Sequence, residues 1–142
     1  MSTIVVGYDG SPPAREAVRH AVRLADGGKI FLVHAYDSPP PQLTGRWREL
    51  LQHDHVERAQ SVLDAILLEG NDELANADWE GRLAPGEPAE AILAVAREVD
   101  ADSIVVGSHG YGAMTALLGS VSHDLLRIAD RPVTVIPPGA SH

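Results

Sequence analysis

The sequence has 142 residues, 44% of them hydrophobic, and a formal net charge of −9, which suits one soluble globular domain. Its acidic surface repels the phosphate backbone of nucleic acids, and no apolar stretch approaches the roughly 18 residues that a membrane span needs. The absence of cysteine excludes disulfides, thiolate metal sites and cysteine nucleophiles.

Short, mostly apolar runs between turn signals predict four β-strands, at residues 3–7, 29–35, 103–107 and 132–137, and a weaker signal predicts one more at 79–83. The runs at 4–6 and 104–106 are apolar on both faces, which is typical of strands covered on both sides. The third run, WEGRL, is polar, and this favours an edge position for it.

Helical periodicity fills the intervals between these strands. From Ala14 to Ala25 the apolar residues recur at helical spacing, with Ser11 as a suitable N-cap and Pro12 in the first turn. Gly27 and the glycine after it end this helix. Further helices are predicted at about 46–68, 88–99 and 121–129, and loops at 39–42 and 69–72.

Strands and helices therefore alternate along the whole chain, which predicts the α/β class. We expect a single domain, residues 1–142, built as one open, doubly wound, five-stranded parallel sheet with helices on both faces. The expected strand order is 3-2-1-4-5, in which the first and fourth strands are central neighbours. In such sheets ligands bind outside the carboxyl ends of the strands where the order reverses. Asp9, Ala35 and residues 107–122 should then lie near one site.

A glycine-rich stretch, GSHGYGAMTALLGSVS, follows the fourth strand at 107–122. Gly119 or Ser120 could cap the next helix, whose first-turn amides and dipole would form an anion site. The stretch matches neither the P-loop pattern nor G-x-G-x-x-G. From the residues alone, a phosphate cradle and a simple glycine-rich crossing between strand and helix both remain open.

Four segments of the chain resemble the universal stress protein family. They are IVVGYDGSPPAREAVRHAVRLA, FLVHAYD, GEPAEAILAVAREVDADSIVVGSHG and GSVSHDLLRIADRPVTVIPP. The resemblance covers almost the whole chain apart from residues 38–80, and it implies a five-stranded α/β fold. One subgroup of the family binds ATP and carries G-x2-G-x9-G-[ST] after the fourth strand.

The resemblance implies a set of nucleotide contacts. The triphosphate would be held at Gly107, Gly110, Gly119, Ser120, Val121 and Ser122. Asp9 would lie near the ribose and adenine, although it could instead only shape the turn before the first helix. Ala35 would offer a backbone contact to adenine, and Gly7 a further contact. His109 could neutralise phosphate charge, or it could be an ordinary loop histidine.

The glycine motif departs from the family pattern by one residue. Eight residues, YGAMTALL, stand between Gly110 and Gly119 where the family has nine. Eight extended residues can still span roughly 26 Å, so the ends can meet if the missing residue falls in a loop. In a helical turn the loss would rotate later side chains by about 100°. Because both glycine ends survive, retained binding with an altered loop is favoured.

The histidines predict neither a protein metal site nor a catalytic group. His53 and Glu57 share a helix face, but two ligands are too few to specify a site. Mg²⁺ or Mn²⁺ is expected only as the partner of nucleotide phosphates. His34 ends the second strand and should be packed or hydrogen-bonded. No catalytic residue is predicted, since Ser120 and Ser122 have no evident histidine and aspartate partners.

The last predicted strand, 132–137, would leave an open sheet edge. The resemblance implies a homodimer in which this strand pairs antiparallel across a two-fold axis. We expect a cytoplasmic, ATP-binding protein that acts in stress response through nucleotide-dependent conformation or partner binding, with no nucleic-acid or membrane partner. The alternatives are a dimeric scaffold that binds no nucleotide and a slow ATPase. A nucleotidyltransferase-type enzyme would require S-G-G-x-D-S or H-I-G-H, and neither is present.

Overall fold

The computed structural model describes residues 1–68, 72–108 and 119–137. The strands are β1 (Ile4–Gly7), β2 (Lys29–Tyr36), β3 (Asp78–Pro85), β4 (Ser103–Gly107) and β5 (Val133–Ile136). The helices are α1 (Pro12–Ala25), α2 (Gly45–Leu68), α3 (Asp72–Ala75), α4 (Pro88–Glu98) and α5 (Ser120–Ile128).

The five strands form one sheet in the order β3-β2-β1-β4-β5, and each pair of neighbours is parallel. Val5 of β1 lies beside Phe31 of β2 on one side and beside Ile104 of β4 on the other. The α/β class, the strand order and the edge position of the polar third strand are therefore confirmed. Strand order reverses between β1 and β4, which places a crevice at their carboxyl ends.

The central strands are buried on both faces because helices cover each side of the sheet. On one face, Ile4 and Val6 pack in a cluster with Val18 of α1 and Ile66 of α2. On the opposite face, Val5 belongs to a second cluster, which includes residues of α4 and α5 such as Ile92 and Leu125. Successive residues of β1 alternate between these clusters, as the period of two in a strand requires.

Helix α1 begins and ends as its sequence signals predict. The Ser11 hydroxyl accepts a hydrogen bond from the Ala14 amide at 3.3 Å, and Pro12 is the first helical residue. Asp26 and Gly27 adopt left-handed backbone conformations directly after Ala25, with φ of 47° and 84°. The carbonyl end of α1 is therefore closed by a tight turn that returns the chain to β2.

Most predicted strand ends agree with the structure to within one residue, and two predictions need a larger correction. Residues 69–72 were expected to be a loop, but Asp72 begins the four-residue helix α3; the other three lie outside the described residues. Strand β3 extends beyond the predicted 79–83, because its backbone pairs with β2 from Lys29–Asp78 to Tyr36–Pro85. None of the helices in the described part of the chain is long and apolar enough to cross a bilayer.

Candidate functional site

A cavity of about 280 Å³ opens at the carboxyl ends of β1, β2 and β4. Eight of the ten predicted site residues line it: Gly7, Asp9, Ala35, Gly107, Gly119, Ser120, Val121 and Ser122. The other two, His109 and Gly110, lie outside the described residues. The fold thus brings the predicted residues to one place, while their contacts with a ligand stay a prediction.

The turn between β1 and α1 forms one wall of the cavity. The Asp9 Oδ1 atom accepts a hydrogen bond from the Ser11 amide at 2.9 Å, and Gly10 between them has a φ of 82°. Asp9 therefore shapes the turn before α1, which is one of the two roles predicted for it. Its carboxylate also borders the cavity, so this role leaves the ligand role open.

Tyr8 and His34 tie the ends of β1 and β2 together beside the cavity. The Tyr8 amide donates to the Val33 carbonyl at 2.8 Å, and His34 Nδ1 lies 2.8 Å from the Tyr8 carbonyl oxygen. A carbonyl oxygen only accepts, so Nδ1 carries the proton in this hydrogen bond. His34 is hydrogen-bonded, as predicted, and Ala35 follows it on the cavity wall.

Two of the predicted glycines have a packing role that the sequence did not indicate. A Cβ atom on Gly107 would lie 2.7 Å from Pro13 Cβ and 2.9 Å from the Pro13 carbonyl carbon. A Cβ atom on Gly7 would lie 2.6 Å from Ile92 Cδ1. Gly107 is therefore required by the close approach of β4 to the start of α1, whatever it does for a ligand.

The N-terminus of α5 faces the cavity with amides that have no acceptor within the helix. Gly119 is the N-cap in extended conformation, makes no side-chain cap, and its carbonyl accepts the first helical bond from His123. The amides of Ser120, Val121 and Ser122 consequently have no acceptor within the helix. The first turn contains no acidic residue. This is the arrangement that attracts a phosphate or carboxylate.

The residue before the undescribed segment and the residue after it are hydrogen-bonded to each other. The Gly119 amide donates to the Ser108 carbonyl, and the Ser108 amide donates to the Ile136 carbonyl at 2.8 Å. The Ser122 hydroxyl lies 3.1 Å from both the Ser108 and Gly119 carbonyl oxygens. The position of α5 relative to β4 is therefore fixed by contacts outside residues 109–118.

Two carboxyl groups meet where α4 and α5 approach the cavity. Loss of solvation raises the pKa of Glu87 above its ordinary 4.5, and a hydrogen bond and negative charge from Asp124 raise it further. Glu90 acts in the same direction, while Arg127 opposes it. The start of α4 thus carries acidic groups that discourage an anion, in contrast to the first turn of α5.

The histidine and carboxylate groups of α2 form an exposed ion pair. His53 Nε2 lies 2.9 Å from Glu57 Oε1, and both side chains are well exposed. Within residues 1–68, 72–108 and 119–137, no three His, Asp or Glu side chains cluster as metal ligands would. The described cavity wall accordingly offers amides and hydroxyls more than a set of metal ligands.

A sequence model of the universal stress protein family matches residues 1–137. The universal stress protein in the QAH/OAS sulfhydrylase 3′ region of Thermus aquaticus is 37% identical over 138 residues, covering 94% of this chain and 97% of the relative. The chain spans about half the length of several mycobacterial relatives, for example 47% of one from Mycobacterium bovis.

Solved structures of the same family share the fold, and some contain a nucleotide. A universal stress protein in complex with cAMP aligns with a TM-score of 0.70 and 31% identity, covering 95% of this chain and 96% of that one. The universal stress protein from Archaeoglobus fulgidus in complex with dAMP aligns with a TM-score of 0.60 and 28% identity, covering 96% and 98%.

Proposed function

The chain belongs to the universal stress protein family, and we propose that its strand-end cavity binds an adenine nucleotide, with ATP as the ligand. Nucleotide binding would act in stress response in the cytoplasm by changing the conformation or the partner surface of the protein. The observation that carries this proposal is the uncapped N-terminus of α5, which faces the cavity in a protein of net charge −9.

The phosphate end of the ligand is assigned to α5. Three backbone amides there lack helical acceptors, and the helix dipole adds positive potential at the same point. A backbone site of this kind needs no lysine, which suits a wall of glycine and serine. Mg²⁺ or Mn²⁺ would accompany the phosphates, since these ions bind nucleotides chiefly through phosphate oxygens.

The adenosine end is assigned to the β1 and β2 side of the cavity. Val33, Ile92 and Val106 supply apolar lining suited to the faces of a base, and Ala35 offers backbone groups at its edge. Asp9 provides a carboxylate that ribose hydroxyls can donate to. In this proposal the apolar residues would hold the base, Asp9 the ribose and α5 the phosphates.

The shortened glycine motif is compatible with this proposal. The Gly119 amide donates to the Ser108 carbonyl, so the phosphate-binding end of α5 is held in place without help from the segment between them. The cavity measures about 280 Å³, just below the usual range of small-molecule sites, about 300–1,000 Å³. His109 and Gly110 would add the remaining phosphate contacts from the adjoining segment.

We further propose that the protein is a homodimer formed through residues 132–137. Strand β5 ends the sheet and pairs only with β4 among the described strands. Val133, Thr134 and Val135 are only partly buried in the single chain. A second copy could add its own β5 to this edge and continue the sheet across a two-fold axis.

Calorimetric titration with ATP, with and without Mg²⁺, tests nucleotide binding directly. Protein purified from cells is also denatured, and any released nucleotide is identified. Binding heat or a released adenine nucleotide is the expected result. No heat at millimolar ATP and no released nucleotide would contradict the proposal and favour the dimeric scaffold. Phosphate release during incubation with ATP would support the slow ATPase instead.

Substitution of Asp9 separates its ligand role from its turn role. Asp9→Asn keeps an oxygen that can accept from the Ser11 amide but removes the charge, whereas Asp9→Ala removes both. We expect Asp9→Asn to weaken ATP binding about tenfold with little change in Tm. Asp9→Ala should lower both the ATP affinity and the Tm. Asp37→Asn, an exposed aspartate outside the cavity lining, is the matched control. Unchanged affinity in Asp9→Asn would remove Asp9 from the site.

A further inference from the structure

Ser108 carries a buried hydroxyl that the site described so far does not use. The residue is 2% exposed and lines the cavity at the end of β4. Its amide donates to the Ile136 carbonyl, and its carbonyl accepts from the Gly119 amide and the Ser122 hydroxyl. The Oγ atom has no hydrogen-bond partner in the described part of the chain.

The neighbouring buried serines behave differently. Ser11 and Ser122 are equally inaccessible, at 1% and 2% exposure, yet both hydroxyls are hydrogen-bonded. Folded proteins rarely leave a buried polar group unpaired, because it has lost water without gaining a partner. An orphaned hydroxyl on the wall of a cavity is therefore best explained by a partner that enters the cavity.

We propose that the Ser108 hydroxyl donates a hydrogen bond to a phosphate oxygen of the bound nucleotide. This inference rests on the proposed function. Phosphate oxygens only accept hydrogen bonds, and Ser108 Oγ–H is a donor without an acceptor. The direct bond from Gly119 to the Ser108 carbonyl holds the residue beside the first turn of α5, where the phosphates are assigned.

Ser122 is a less suitable donor to the same phosphate, although it also lines the cavity. Its single hydroxyl proton is directed at the Ser108 or Gly119 carbonyl oxygen, both at 3.1 Å. Donating to a ligand would break this bond and leave the carbonyl with one partner fewer. Ser122 contributes to the site through its backbone amide, and Ser108 contributes its side chain.

Titration of Ser108→Ala with ATP and with adenosine tests the inference. A hydrogen bond to a charged phosphate predicts that ATP affinity falls about 10- to 100-fold while adenosine affinity stays unchanged. The Tm of the nucleotide-free variant should equal or exceed that of the wild type, because an unpaired buried hydroxyl has been removed. Ser108→Cys keeps the bulk with a weak donor and should lose ATP affinity similarly.

Two serine variants serve as controls. Ser61→Ala, on the exposed face of α2, should leave ATP affinity unchanged. Ser122→Ala removes a buried hydroxyl that is paired, so its nucleotide-free Tm should fall. Ser122→Ala should therefore be less stable than Ser108→Ala despite the equal burial of the two residues.

Each other outcome overturns the inference. Unchanged ATP affinity in Ser108→Ala would show that the hydroxyl does not contact the ligand, while nucleotide binding itself would stand. Equal weakening for ATP and adenosine would place the contact on the nucleoside. A fall in nucleotide-free Tm would show that the hydroxyl is paired within the protein. Failure of the wild type to bind any nucleotide removes the proposed function and this inference together.

Discussion

Gly107→Ala and Gly7→Ala form a matched pair, because the two glycines end neighbouring central strands and both line the cavity. Neither has a positive φ, so alanine is allowed by the backbone at both positions. The new methyl at 107 would meet the Cβ, carbonyl carbon and carbonyl oxygen of Pro13 at 2.7, 2.9 and 3.0 Å. At 7 it would meet the side-chain tips of Ile92 and Val106.

The difference in what the methyl meets sets the magnitudes. Pro13 belongs to the first turn of α1, so relief at 107 requires the helix to move away from the sheet. We expect Gly107→Ala to lower the free energy of unfolding by about 2–3 kcal/mol, the upper part of the range for overpacking. Ile92 Cδ1 can rotate aside, so Gly7→Ala should lower the free energy of unfolding by only about 1 kcal/mol.

Urea denaturation of the nucleotide-free proteins measures both values. For a chain of this size Gly107→Ala should also lower Tm by about 6–9 °C, and Gly7→Ala by about 3 °C. If Gly107→Ala is as stable as the wild type and loses only ATP affinity, the packing explanation is refuted. Ligand binding alone would then explain why residue 107 is a glycine.

Two carboxyl groups predict opposite dependences of stability on pH. Hydrogen bonds from Arg131 and Arg97 lower the pKa of Asp130 from 3.8 to about 2, so its stabilisation is present above pH 3.8 and lost as the pH falls through about 2. Asp130→Asn should therefore lower Tm at pH 7 and approach the wild type near pH 2. The pKa of Glu87 is raised above 4.5, so its ionisation destabilises the fold as pH rises past that value. Glu87→Gln should raise Tm at pH 7 and have no effect below pH 4.5. Thermal unfolding across this range checks both, and a pH-independent difference in either variant would contradict the assigned cause.

Much of the fold was predictable because its signals are local. Apolar runs directly predict β1 and β4, and the Ser11 cap predicts the start of α1. The ends of β3 were not predictable from WEGRL, because pairing with β2 sets its length and its side chains are mostly polar. A four-residue helix such as α3 is too short to show a period.

The residues of the candidate site were predictable where topology brings strand ends together. They were not predictable where a tertiary contact determines which residue type is needed. The convergence of Asp9, Ala35 and Gly119 follows from topology alone. The clash that makes Gly107 a glycine depends on Pro13, which is 94 positions away and has no pattern linking it to β4. Ser108 occupies a position at which the family motif accepts any residue. Its only sequence signal was a hydroxyl placed directly after a buried strand.

The hydrogen bond from Gly119 to Ser108 joins the two ends of the ten-residue interval between them, so the fold constrains the length of that interval only weakly. Closing a segment of ten residues rather than eleven changes the loop entropy by only about 0.1 kcal/mol. Insertions, deletions or grafted sequences in this interval would therefore leave the sheet and α5 almost untouched. The interval 109–118 can therefore be replaced as an exchangeable cassette, while the sheet and α5 on either side of it stay constant.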